Sequence, residues 1–90
     1  MTYNGRTFFK GDVVQHFKRT MLPKNERHAK YLYQIEGFGT HTETGEQLVF
    51  YRSIDEDGEW WARPLNDFCG EVDHEKYPEA KQKYRFEHFN

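Results

Sequence analysis

Cysteine and long apolar runs are the two things this sequence most conspicuously lacks. Its 90 residues contain one cysteine, Cys69, so no internal disulfide can hold the chain together. The longest uninterrupted apolar run, Leu48 to Tyr51, is four residues, against the roughly 20 that a membrane helix needs. No membrane role is therefore expected. The start, MTYNGRTFFKGD, has no apolar stretch of the signal-peptide kind, which makes the cytoplasm the expected location. Paired cysteines, an H-E-x-x-H motif, a phosphate-cradling glycine loop and a serine elbow are all missing. No metal, cofactor or catalytic group is expected on those grounds, and a zinc site would have to be assembled by the fold from His16, His28, His41, His74 and His88. Cys69, beside Phe68, reads as a small packed hydrophobe rather than a nucleophile.

Aromatic residues are plentiful. Eight Phe, six Tyr and two Trp make up half of the 36% hydrophobic content, and large side chains of this kind suit a compact β core. A chain of this length supports a single core, so residues 1–90 are read as one domain. The net charge of −2 is unevenly placed: residues 1–30 carry a balance of +5 and residues 31–90 one of −7.

The segment VVQHFK reads as a strand after a turn at Gly11-Asp12, and residues 18–30 read as an exposed loop broken by Pro23 and Asn25. YLYQIEGFG is strand-like. Glu43-Thr44-Gly45 fits a three-residue hairpin loop, a register that sets Phe38 opposite Phe50, Gly37 opposite Tyr51 and Glu36 opposite Arg52. A four-residue loop, Asp55-Glu56-Asp57-Gly58, then sets Arg52 opposite Trp61 and avoids a clash with Arg63. Pro64 can open a helical turn through Phe68, the EAKQKY segment is compatible with a helix, and RFEHF reads as a last strand. Both faces of the meander carry large apolar groups. The expected fold is therefore mainly β: a small SH3-like barrel of about five strands, with a short helical turn and a C-terminal extension. Its core would span about residues 8–72. Residues 73–90 would cover the outer face with aromatics such as Tyr77, Phe86 and Phe89, unless a second copy or another partner does so.

Phe9-Lys10-Gly11, His16-Phe17-Lys18, the run from Gly39 to Thr44, Glu46, Leu48-Val49, Tyr51-Arg52 and Trp61-Ala62-Arg63-Pro64-Leu65 with Phe68 together resemble a bacterial domain family of unknown function, number 1653. The resemblance covers roughly residues 8 to 72, with an echo at Arg85-Phe86. It implies a small, mostly β cytoplasmic domain of bacteria or their phages, and it implies no reaction.

The expected function is that of a non-catalytic binding or interaction module. Its site would comprise Arg52, Trp61, Arg63 and Tyr51, with His41 and Glu43 at the hairpin loop. The two arginines would hold a small anionic ligand or the anionic group of a protein partner, with an aromatic supplying contact area. Two alternatives stand beside it. Lys18, Arg19, Lys24, Arg27 and Lys30 could grip phosphates as a nucleic-acid module, or His41 and Glu43 could serve a small hydrolase or transferase as acid and base. A bland reading of the same residues has Glu36 and Trp61 clasping Arg52 and the loop residues shaping the hairpin.

Overall fold

The computed structural model describes residues 1–55 and 57–89. Within them the chain is mainly β. Strands β1 (Thr2–Tyr3) and β2 (Arg6–Thr7) form a small hairpin. Asn4 and Gly5 turn it with φ of 48° and 76°, the left-handed pair that two-residue hairpin turns demand. A five-stranded antiparallel sheet follows, built from β3 (Val13–His16), β4 (Leu32–Thr40), β5 (Gln47–Ser53), β6 (Trp60–Pro64) and β7 (Phe86–His88). Its strand order is β6-β5-β4-β3-β7. Helix is scarce. Two 3-10 turns, Phe17–Met21 and Lys24–Glu26, punctuate the loop after β3, and α1 (Leu65–Phe68) follows Pro64 where a helical turn was expected. RFEHF supplies the last strand. EAKQKY, by contrast, forms no helix.

The sheet is not a closed barrel. Among the described residues no ladder joins β6 to β7, although the curl brings the Arg63 guanidinium of β6 to 5.8 Å from the Phe86 ring of β7. Large side chains pack into the core beneath the sheet. Phe86 stacks on Phe68 with centroids 4.2 Å apart, and Phe68 meets Phe8 edge-on at 5.5 Å; all three rings are fully buried. Burying each contributes roughly 1.5–3 kcal/mol.

The registers also differ from those expected. His41 N–H donates to Glu46 O, so the first hairpin loop spans residues 42–45, one residue longer than read from sequence. Gly45, at φ 76°, still supplies the left-handed position. Phe38 consequently faces Val49 and Gly37 faces Phe50. A bulge at Glu36 shifts the ladder again, placing Ile35 opposite Tyr51 and Gln34 opposite Arg52. In the second hairpin, Ser53 N–H donates to Glu59 O and Arg52 pairs with Trp60, not Trp61. Of its expected loop, Glu56 lies outside the described residues.

A one-residue slip changes which face a side chain occupies. The concave, core-facing side thus carries Ile35, Phe38, Val49 and Tyr51, followed by Trp61 and Arg63. Leu48, Phe50, Trp60 and Ala62 lie on the convex side, where Phe50 packs over Gly39; a Cβ there would sit 2.8 Å from the ring. Phe86 and Tyr77 do not cover the convex face, and Phe89, 37% exposed, lies against the Arg19 guanidinium at 5.0 Å. Phe86 joins the concave core, while Tyr77 packs on a second small cluster of Phe17, Val72 and Ala80.

Candidate functional site

The curled sheet leaves a cleft along the β6–β7 gap, where two cavities adjoin. One, of about 330 Å³, is lined by Lys18, Arg63, Asp73, Lys76, Tyr77 and Arg85 among others. The other, of about 190 Å³, is lined by Tyr31, Tyr33, Tyr51, Trp61 and Phe86. His16, Lys18 and Arg63 belong to both.

His16 ends β3. Its Nδ1 accepts the backbone N–H of Lys18 at 3.1 Å and so caps the following 3-10 turn. In the neutral ring, the proton therefore sits on Nε2. That N–H has no protein partner among the described residues and is not a fully buried orphan, and the residue lines both cavities. The ring is held by Phe17, stacked at 4.5 Å, and by Phe86, edge-on at 5.0 Å. Burial, joined by the positive charges of Arg63, Lys18 and Arg85, drives its pKa down to about 4. The histidine is a neutral donor ringed by cations.

Arg63 and Arg85 meet at one carboxylate. Arg63 Nη1 donates to Asp67 Oδ2 at 2.9 Å and Arg85 Nη1 to Oδ1 at 2.6 Å; Arg85 also donates to the Asp67 backbone oxygen. Arg63 Nε donates to the Tyr51 hydroxyl at 3.2 Å. Burial works against the Arg63 charge, but the Tyr51 hydrogen bond and Asp67 outweigh it, so its pKa is raised. Burial, aided by the neighbouring Tyr51 and Tyr31, likewise raises the Tyr33 phenol. Tyr31 adopts φ 61°, which a bulky side chain rarely tolerates. Its carbonyl accepts His16 N–H at 2.9 Å, and its ring lies 5.7 Å from the imidazole.

Of the site residues expected from sequence, the structure brings Tyr51, Trp61 and Arg63 together and sends the others elsewhere. Arg52 is on the convex face, where its Nε donates to Glu36 Oε2 at 2.8 Å and Nη2 reaches Gln34 at 3.4 Å. Glu36 reaches it from the bulge. His41 Nδ1 accepts the backbone N–H groups of Glu43 and Thr44, a loop cap, and neither His41 nor Glu43 lines the cleft. Neither tryptophan is buried: Trp61, 46% exposed, borders the cleft, and Trp60, 60% exposed, points from the convex face.

The basic loop divides in function. Lys18 faces the cleft and Lys24 and Lys30 are exposed. Arg19 donates to Gln15 and to the His28 carbonyl, and Arg27 to the carbonyls of Leu22 and Thr20. Cys69 is a buried core thiol whose pKa is raised by that burial. Among the described residues no three His, Cys, Asp or Glu side chains converge as metal ligands, and no helix is long and apolar enough to cross a membrane.

Sequence reading missed Tyr33, Arg85 and Phe86 as cleft residues and missed the central place of His16. The only signal for His16 and Arg85 was that both fell within the runs carrying the family resemblance. The chain belongs to the family described as Protein of unknown function (DUF1653), whose model matches residues 12–88. That span contains every residue lining the cleft. Neither the curated proteins nor the solved structures include a match.

Proposed function

We propose that this member of the DUF1653 family is a non-catalytic binding module, working in the cytoplasm, whose cleft takes a small anion-bearing ligand. One observation carries the reading: Lys18, Arg63, Lys76 and Arg85 line a single cavity beside a histidine that burial and the charges of Arg63, Lys18 and Arg85 keep neutral. Asp67 and Asp73 offset only part of that charge. A concave surface of one sign focuses potential on its ligand, and guanidinium forks match phosphate and carboxylate oxygens. The architecture behind the cleft is read as an SH3-like barrel opened at the β6–β7 gap. Its support is the β3-to-β6 meander, the helical turn α1, and the return of β7 beside β3.

The nucleic-acid reading of the loop has weaker support, because Arg19 and Arg27 commit their donors to holding the loop itself. The His41–Glu43 enzyme reading has weaker support as well, because His41 Nδ1 is taken up in capping the loop.

NMR titration of the His16 ring with inorganic phosphate, at matched ionic strength, tests the proposal. A bound anion offsets the surrounding cations and raises the His16 pKa from about 4, and rising salt weakens the effect. A His16 titration curve indifferent to phosphate would contradict the anion site.

A further inference from the structure

We infer that the ligand is a nucleotide: a heteroaromatic base joined through a sugar to a phosphate. This deepens the anion-cleft reading and rests on it. The two cavities differ in chemistry but share a border. The larger holds the unshared cations Lys76 and Arg85, and the smaller is walled by Tyr31, Tyr33, Tyr51 and Trp61. Rings of this kind stack on any base, since every base has a π face.

The border identifies the class. His16, Lys18 and Arg63 separate the ring-lined space from the cationic one. A phosphate attached directly to a ring, as in a phosphorylated tyrosine, would place both groups in one cavity. A nucleotide puts a sugar between them, where the Nε2–H of His16 meets ester and hydroxyl oxygens as a neutral donor. Tyr31, at φ 61°, supports the same conclusion. Backbone strain in a bulky residue persists where the surroundings enforce it, and it clusters at ligand sites. Here the strain holds an aromatic ring at the cavity wall beside His16.

Asp67 occupies the arginine forks from inside the protein, with its carboxylate accepting from both Arg63 and Arg85. An incoming phosphate competes with that carboxylate. Asp67→Asn should therefore bind phosphate several-fold more tightly than the parent protein.

The test follows the His16 ring and Trp61 fluorescence in a Trp60→Phe background. Adenosine 5′-monophosphate, adenosine and inorganic phosphate are titrated separately, followed by a short 5′-phosphorylated oligoadenylate. The nucleotide should bind at least about tenfold more tightly than adenosine or phosphate, a difference of about 1.4 kcal/mol. Lys76→Ala alters an exposed side chain whose ammonium makes no hydrogen bond among the described residues. It should weaken the nucleotide and phosphate several-fold and leave adenosine unchanged. Trp61→Leu, followed by the His16 resonance, should weaken the nucleotide and adenosine and leave phosphate unchanged. A nucleotide no tighter than phosphate overturns the nucleotide inference while the anion cleft stands. Silence from all the probes overturns both. Tighter binding of the oligonucleotide than of the free nucleotide assigns the ligand to a strand end, and equal or weaker binding assigns it to the free pool.

Discussion

Arg52 and Arg63 sit on neighbouring strands of the same sheet, yet they serve opposite faces. On the convex side Arg52 meets Glu36 one to one, with Gln34 as a further acceptor, so its charge is spent on holding a bulge. On the concave side Arg63 shares a single carboxylate with Arg85, while Lys18 and Lys76 line the same cavity. The convex face neutralises its charge; the concave face accumulates it. The difference traces to shape: a curled sheet crowds the side chains on its inner face, and at the unpaired β6–β7 gap that crowding brings cations from three separate chain segments together.

The comparison breaks most visibly at the core behind the cleft. Phe86→Ala removes a fully buried ring that stacks on Phe68 and walls the aromatic cavity, and chemical denaturation should show a loss of about 3–5 kcal/mol. A loss below about 1 kcal/mol would mean that the core behind the cleft does not depend on this ring. The next effect is acid sensitivity on the concave side. His16 ordinarily titrates near 6.5 and in the folded protein near 4. The unfolded chain therefore takes up the proton first, and stability that is full above pH 6.5 drains away as pH falls toward 4. The loss should be on the order of 2–3 kcal/mol, and His16→Asn, which keeps a capping acceptor, should remove the slope. An unchanged slope in that variant would assign the acid sensitivity to other groups. On the convex side the effects are smaller. Glu36→Ala breaks a pair whose side chains are 16% and 33% exposed, and Gln34 remains to Arg52, so the cost should be about 1 kcal/mol. Trp60→Ala should change stability by no more than about 0.5 kcal/mol. A Trp60→Ala loss as large as that of Phe86→Ala would erase the distinction between the faces.

How much of this was legible in the sequence depended on the range over which the determining forces act. Local signals held: Gly45 takes its left-handed turn, Pro64 precedes a helical turn, and RFEHF is a strand. Asn4-Gly5 was an equally local hairpin signal and was overlooked. Register was out of reach because the loop after Thr40 contains one more residue than the shortest fit, and because a bulge at Glu36 has no residue-type signature. The longer loop moved Phe38 and Gly37 to different partners, and the bulge moved Ile35 and Gln34 by one residue more. For the site, Tyr51, Trp61 and Arg63 were legible as residue types, but the expected register set Tyr51 on the face opposite Trp61, and only the observed pairing of Tyr51 with Trp61 unites them. His16 was not legible, since its neutrality arises from burial and from arginines far along the chain. Tyr31 gave no warning either, because a left-handed tyrosine is enforced only by tertiary contacts.

Gln82 deserves a last consequence. Its buried side-chain amide donates to the carbonyls of Gln15, Tyr84 and Arg85 and accepts from Gln15, tying β3 to the segment that carries Lys76, Tyr77 and Arg85. The segment is held as well by the Arg85 N–H on Gly70 O, by Val72 N–H on Lys83 O, by the Arg85–Asp67 pair and by the small cluster of Phe17, Val72 and Ala80. Removing that one amide strips the donor from three backbone carbonyls at once, so Gln82 couples the wall that carries Arg85 to the strand that carries His16.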